Sequence, residues 1–552
     1  MLGPVATRAQ DADLPLQDEY LHFVNRIDIL GLTGQALPTE IKPLPREQVN
    51  EWLGWVDPSL LGRRDRRAYQ ALQFWVCDTC RQTPREGGPL QSWRWLVPNG
   101  RDVLGYTGTQ FRIYANPILG VAGGTERVSP QGGTAQSELL YINARGGHLR
   151  ATLGKKLGIY TEVTDNQARY PHFIGQVFDS TRALVGESFV KPFGQGGFDF
   201  FNVRGYLTYS PVKPLRIKFG RDRAFWGQGW QSLTLSDHAT DYLQLSFNLQ
   251  LGKFQYFTQF AEFIDFIPNK PDAYGTFPRS YGAFHQLTFR PHRSVSLSFF
   301  ESTIYATELA NGRRGFELQY LNPVILYRSV EQAIGSPDNS LLGFQGKFNI
   351  LRRVQLYGQM VVDDYNFGQR QNGSGWYGNK VGTQTGLHWL NAFGIETLDL
   401  QTEYNRVRPY TYSHFNPSSA YIHYGQPLAH PNGANLQEVV SLLRWQALPG
   451  LYVRVRYGWM QQGRDTSIYN YGADPRRSDQ VVRTARPNSD FDNVVGQGFG
   501  YTQHRVQARI SWQPTFWNLW LDLQGEYRLD NFGQQISLLA ALRWNWHWRE
   551  WR

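Results

Sequence analysis

Few residues in the chain have the type and spacing for covalent or metal chemistry. The two cysteines stand together as Cys77-Asp78-Thr79-Cys80. A C-x-x-C pair serves redox exchange, half of a zinc site or a small disulfide. No further ligands sit nearby at zinc spacing, and the βαβ context of a thioredoxin-like motif is missing. A local disulfide formed in an oxidising compartment is the reading that remains. Ser236-Asp237-His238 are adjacent in a loop, not spaced as a triad, and no G-x-S-x-G occurs. Asp363 and Asp364 are neighbours, so on a strand they point to opposite faces and act as solvated residues, not as a catalytic pair. His285, His292, His388 and His504 lack metal-ligand spacing, and no Gly-rich phosphate loop opens a helix. The expectation is no metal, no cofactor and no enzyme. A nucleophile and base that converge only in the fold would escape this reading.

Composition points elsewhere. Across 552 residues, aromatics reach 15%, with 33 Phe, 30 Tyr and 18 Trp, while charged residues are only 18%. So many aromatics exclude a disordered chain. No run of about 18 apolar residues exists, which excludes helical membrane spans. Lys plus Arg number 56 against 46 Asp plus Glu, a net charge of +10. A basic excess favours an anionic partner, such as an acidic polysaccharide or lipid headgroups. Because the basic residues are spread along the chain and not gathered in a tail, nucleic acid is not the expected partner.

The elements that position these residues fall into three stretches. Residues 1–14 end in the small residues that precede a signal-peptide cut but lack an apolar core, as a trimmed leader or a misplaced start would. Residues 15–100 form a small helical segment. Val49, Trp52, Leu53 and Val56 share one stripe, Asp57-Pro58 breaks it, and Tyr69, Leu72 and Trp75 resume it. Residues 101–552 change to a period of two. Leu356, Met360 and Val362 alternate with Gln355, Tyr357 and Gln359, and Val453, Val455 and Tyr457 with Tyr452, Arg454 and Arg456.

These strands run about 10 to 14 residues, enough for a tilted membrane crossing. Short connections such as Ser210–Pro214, Leu251–Lys253 and Arg290–Ser294 alternate with long ones near 222–240, 264–281, 365–382, 408–436 and 463–502. Aromatics crowd the strand ends, as interfacial girdles require. The fold class is therefore all-β: a transmembrane antiparallel β-barrel of about 18 strands, within a range of 16 to 20. Asn322-Pro323 leaves one pair of strands, 313–321 and 324–331, in question. Parity places both termini in the periplasm, with the helical segment at that mouth. The barrel is read as a monomer in outer-membrane lipid.

Inward positions carry Arg216, Lys218, Arg454, Arg456, Arg505 and Arg509 beside Asp399, Glu403, Asp522 and Glu526. They serve either as a charge ladder that fills the barrel or as a surface for a hydrated polyanion. Trp226, Trp230, Trp376, Tyr377, Tyr410, Tyr412, Tyr421 and Tyr424 lie in the long connections, where exposed rings would stack on sugars. Arg221, Arg223, Trp226 and Trp230 cluster together as the leading sugar site, with bracing of the loop as the competing role.

Gly220-Arg221-Asp222-Arg223-Ala224-Phe225-Trp226-Gly227-Gln228-Gly229, with Leu233, Leu235 and Ser236, resembles the G-R-x-x-x-x-W-G-x-G segment of the capsule assembly Wzi family. Phe316-Glu317-Leu318-Gln319-Tyr320-Leu321-Asn322-Pro323-Val324, with Arg328 and Glu331, is similar to a second block of that family. The resemblance implies an 18-stranded outer-membrane barrel braced by periplasmic helices. It also implies a non-enzymatic surface lectin for capsular polysaccharide that is not a channel for the polymer. The C-x-x-C, the long 463–502 loop and the Trp551-Arg552 ending depart from the pattern. The alternatives are a diffusion porin, which needs an open lumen, and a scaffold component of a larger envelope machine.

Overall fold

Period-two sequence closes here into a ring. The structure, a computed structural model, describes residues 12–16, 19–78, 101–181, 183–265, 277–309, 312–322, 326–335, 338–480, 489–514 and 518–547. Eighteen strands follow one another around the barrel. The first nine are β1 Phe111–Pro130, β2 Gln136–Leu153, β3 Leu157–Arg169, β4 Gly197–Tyr209, β5 Leu215–Asp222, β6 Tyr242–Leu251, β7 Phe254–Ile264, β8 Arg279–His292 and β9 Val295–Ala306. The rest are β10 Asn339–Ile350, β11 Val354–Asp364, β12 Lys380–Trp389, β13 Leu398–Val407, β14 Leu436–Leu448, β15 Leu451–Arg464, β16 Phe499–Trp512, β17 Leu519–Asp530 and β18 Gly533–Trp544. Each pairs antiparallel with its chain neighbours, and β18 closes on β1 from Gly533↔Pro130 to Trp544↔Leu119. The questioned pair does not join the ring: among the described residues, Gly312–Arg313 pairs with Glu308–Leu309, Leu318–Leu321 is a 3-10 turn and Tyr327–Ile334 is a helix, all inside one long connection. That fixes the count at 18, because a helical turn cannot join the ladder.

The faces are inverted relative to a soluble sheet protein. On β11, Leu356 and Met360 are each 42% exposed, whereas Gln355 and Gln359 are 2% and 4% exposed. Apolar side chains point out and polar ones point in, which is stable only where the outside is hydrocarbon. The closed ladder leaves no unpaired strand edge among the lipid-facing groups. One end carries tight turns such as Gly154–Lys156 and Leu251–Lys253. The other carries the long connections, with two short exceptions, 131–135 and Asn531–Phe532, that flank the closing pair.

Three helices precede the ring: α1 Glu19–Leu30, α2 Arg46–Gly54 and α3 Arg63–Val76. The stripes of α2 and α3 fall as the periodicity predicts, with Val49, Trp52 and Leu53 packed against Tyr69, Leu72 and Trp75. Asp57 accepts from the Ser59 amide (2.9 Å) and breaks the pattern between them. Helix α1 was not anticipated. Its Tyr20, Val24 and Ile27 join the same core. Cys77 is disulfide-bonded; Cys80, its expected partner, lies outside the described residues.

Phe344 stands mid-strand on β10 and is 54% exposed on the outer face. Phe344→Arg should lower the barrel's unfolding free energy by about 2–4 kcal/mol in liposomes, measured by denaturant titration with intrinsic fluorescence.

Candidate functional site

The interior is filled from both ends. At the short-turn end, α1 lies against the inner wall. Arg26 bridges Asp65 of α3 (2.9 Å) and Asp399 of β13. His22 Nε2 lies 2.9 Å from Asp399 Oδ2. Lys347 of β10 donates to Asp28 Oδ2 (3.0 Å), Leu37 O (3.0 Å) and Thr39 Oγ1 (3.1 Å), and pairs with Glu40 (3.2 Å). Gln513 donates to Tyr20 Oη at 2.8 Å. Asp13 accepts from Arg216 (2.7 Å) and Lys218 (2.8 Å) of β5.

From the long-loop end, the stretch after β5 dives into the lumen instead of standing outside it. Phe225–Trp226 forms a two-residue antiparallel ribbon with Ile41–Lys42. Gly227 N donates to Glu40 O (2.7 Å), and Lys42 Nζ donates to Gly227 O (2.9 Å). Gly227 has φ +138°, and a Cβ there would lie 2.4 Å from Gln359 Nε2, so only glycine fits. Glu403 accepts from the amides of Trp230 (2.7 Å) and Gln231 (2.9 Å) and from Tyr357 Oη (3.0 Å). Above this layer, the 408–435 connection folds inward. Tyr412 Oη donates to Leu233 O (2.9 Å) and Tyr421 Oη to Thr234 O (2.7 Å). Tyr410 Oη donates to Asn470 O (2.9 Å), and Lys380 pairs with Asp479 (2.7 Å), which ties the 465–480 connection on top.

Among the residues expected in the lumen, Arg216 and Lys218 pair with Asp13. Arg505 bridges Glu526 (2.7 Å), Arg509 lies 3.4 Å from Asp522, and Arg454 lies 4.0 Å from Glu19. The Arg456 guanidinium stands 5.2 Å over the Trp230 ring. Their geometry is that of a charge ladder bracing the filling.

The leading sugar cluster requires correction, because its loop points inward. Trp226 is 0% exposed, edge-on to Phe257 (5.3 Å) and Phe300 (5.5 Å), so neither of its faces meets solvent. Trp230 is 8% exposed beneath Arg456. Arg223 is bound to Asp241 (2.8 Å). Arg221 sits on the outward parity of β5, opposite exposed Leu243. Tyr410, Tyr412, Tyr421 and Tyr424 are likewise buried. Asp363, read as solvated, is buried and accepts from the Tyr412 amide (2.7 Å).

Trp376 and Tyr377 alone of the expected aromatics remain partly exposed, at the long-loop end. Their rings meet at 5.4 Å and 62°, and Tyr377 leans on Tyr410 at 6.0 Å. Backbone bonds fix this ledge: Tyr377 N to Asp490 O (2.9 Å), Asp492 N to Ser374 O (2.8 Å) and Asn493 N to Gly375 O (2.9 Å). Phe367, Phe415 and Phe491 are exposed at the same end. A rigid pair of inclined rings on hydrogen-bonded loops can stack on a pyranose face with little ordering cost.

Sequence reasoning placed Asp399 and Glu403 on the inner face without giving them the role of anchoring the plug, and it did not single out Lys347. The signal available was their inward parity, shared with every lumen residue. It also missed α1, whose Tyr20, Val24 and Ile27 carry the helical spacing.

A family model described as capsule assembly protein Wzi matches residues 141–528. No curated protein matches. Among solved structures, the chain is similar to Escherichia coli Wzi, described as an outer-membrane protein involved in group 1 capsule assembly and a carbohydrate-binding β-barrel. Identity is 16%, coverage 97% of this chain and 100% of that chain, and the TM-score 0.57. Pseudomonas aeruginosa OprD shares 7% identity over 78% of this chain and 94% of that chain, with a TM-score of 0.41. OprE from the same organism shares 10% over 78% and 98%, with a TM-score of 0.40.

The short-turn plug should respond to acid. Burial alone would raise the Asp13 and Glu40 carboxyls. Arg216 and Lys218 beside Asp13, and Arg290 and Lys347 beside Glu40, override it and hold both below the usual range. Depressed folded-state values mean that the stabilisation is full above the unfolded-state pKa and is lost as pH falls. Protease resistance of residues 12–76 should therefore hold from neutral pH to about 4.5 and weaken below it. At neutral pH, Lys347→Ala should cost about 3–5 kcal/mol by leaving Asp28 and Glu40 buried without it, read as earlier cleavage of the same segment.

Proposed function

The chain belongs to the capsule assembly Wzi family, and from that premise we propose that it is an outer-membrane barrel that binds acidic surface or capsular polysaccharide and helps assemble or anchor it at the cell surface. It acts without catalysis and as a monomer. One observation carries the reading: the lumen is occupied at three levels, by the helices, by the ribbon around Trp226 and by the inward 408–435 connection. A barrel filled in this way offers its outer face, not a pore, to a polymer.

In this reading residues 15–100 are a periplasmic cap, residues 101–552 are the barrel, and both termini lie in the periplasm. The long-loop end then faces outward and carries the Trp376–Tyr377 ledge. Stacking on those rings supplies the apolar part of recognition, and the net charge of +10 draws an acidic chain toward the protein. Trp226 and Trp230 contribute by holding the loops in place.

The test is binding of the folded, full-length protein in detergent to the host's own acidic surface polysaccharide. A Trp376→Ala, Tyr377→Ala double variant should lose about tenfold in affinity or more, the scale of about 1.4 kcal/mol. Trp226→Ala should instead lower stability by about 3–5 kcal/mol, with affinity of the folded fraction little changed. Equal binding by wild type and double variant would remove the ledge from the site. Absence of binding together with stable bilayer conductance would replace the reading with that of a porin.

A further inference from the structure

Where α1 meets the barrel wall, three side chains converge from separate elements: His22 from the helix, His388 from β12 and Asp399 from β13. One donor atom from each lies within 4.8 Å of the other two. The imidazole rings face each other at 5.5 Å and 33°. His388 is 2% exposed and Asp399 1%. Among the described residues, His388 Nε2 and His22 Nδ1 are buried with no hydrogen-bond partner. Buried polar atoms are nearly always satisfied, and two orphans on facing rings beside a carboxylate call for an ion or water.

The carboxylate is prepared for a further partner. Asp399 Oδ1 accepts from the Asn391 amide (3.0 Å) and from Arg26, which fixes the plane of the group. Oδ2 faces His22 Nε2 at 2.9 Å, and Arg26 Nη1 reaches this oxygen as well. Arg26 is shared with Asp65, whose two oxygens take its Nε (3.2 Å) and Nη2 (2.9 Å). A single guanidinium between two carboxylates does not exhaust their charge. Nearby, Glu19 offsets Arg454, and Arg444 donates to Gln401 Oε1 (2.9 Å). Of the cations nearby, Arg26 faces Asp65 and Asp399, Arg454 faces Glu19, and Arg509 faces Asp522. A cavity of about 90 Å³ reaches His22 and is lined by Glu19, Arg444 and Arg454. It is roomy enough for the waters that would complete a coordination shell.

We infer that His22, His388 and Asp399 form a site for a borderline divalent transition cation, Zn(II) foremost. Two imidazole nitrogens and one carboxylate oxygen are a ligand set of that class, with the fourth position left to water from the cavity. The cation takes the place of the hydrogen between His22 Nε2 and Asp399 Oδ2, and the neutral imidazole keeps its single proton by shifting it to Nδ1. Metal–ligand bonds of about 2.0–2.2 Å require His388 to close on the other two by side-chain rotation. Arg26 and the Asn391 amide then act as outer partners that hold the carboxylate. Because His22 rides on the cap and the other two ligands on the wall, the ion ties the plug to the barrel.

The test uses the full chain, folded in detergent, freed of any affinity tag and stripped with chelator. Titration with Zn(II) should show one equivalent bound, and Co(II) should give the intense visible absorption of a four-coordinate N/O site. His388→Gln and His22→Gln should each weaken Zn(II) binding by at least 100-fold, while His292→Gln, at the exposed rim, leaves it unchanged. Zinc should also delay cleavage of residues 12–76 in wild type and not in the two site variants. Heat-modifiable gel mobility reports whether each variant has folded. Should a variant not fold, the wild-type spectrum decides alone. No stoichiometric Zn(II) and no four-coordinate Co(II) signal in wild type overturns the inference, as does binding that survives both site substitutions.

Discussion

Eighteen strands closed edge to edge enclose more space than their own side chains fill. Barrels of about eight strands pack their interiors with side chains, whereas those of 16 to 18 leave an aqueous channel unless something else enters. The ring satisfies the backbone of every lipid-facing strand, but it creates a polar lumen that must be hydrated or occupied. Here it is occupied. The helical cap, the ribbon at Trp226 and the tyrosines of the 408–435 connection answer one volume requirement.

The electrostatics follow from the same constraint. A lumen read by water tolerates isolated charges, but a filled one does not, since an unpaired buried ion is costly. Arg26 accordingly sits between Asp65 and Asp399, Lys347 between Asp28 and Glu40, and Arg505 against Glu526. Most of these pairs join segments hundreds of residues apart. They specify which surface of the plug meets which strand, a task that apolar contacts alone perform loosely. The apolar contribution is concentrated in two places: the cap core around Leu72 and the aromatic cluster around Trp226.

Much of the architecture was legible in sequence because lipid outside and polar groups inside impose a strict period of two. Leu356, Gln355 and their neighbours declare their faces without any tertiary information. Tight turns such as Leu251–Lys253 mark one end, and the strand count was uncertain only at Asn322-Pro323. The interior was harder to read for a definite reason. A loop that enters a polar lumen and one that stands in solvent have similar compositions, so Trp226, Trp230 and Tyr412 looked like exposed rings. Gly227 was the informative residue, since its backbone conformation admits nothing larger, yet its neighbour Gln359 is 132 positions away in sequence and invisible to local reading. His388 illustrates the same limit: neither of its companions is within ten residues of it.

The ribbon between Ile41–Lys42 and Phe225–Trp226 has a mechanical consequence. It splices the segment that enters from one mouth of the barrel to the segment that enters from the other. The two halves of the filling therefore form one continuous strut down the barrel axis, pinned at its centre by Glu403 and Gln359. Tension applied to the long loops is transmitted through hydrogen-bonded backbone to the helices at the other end. A conventional pore offers no such axial linkage, since force on its rim dissipates around the wall.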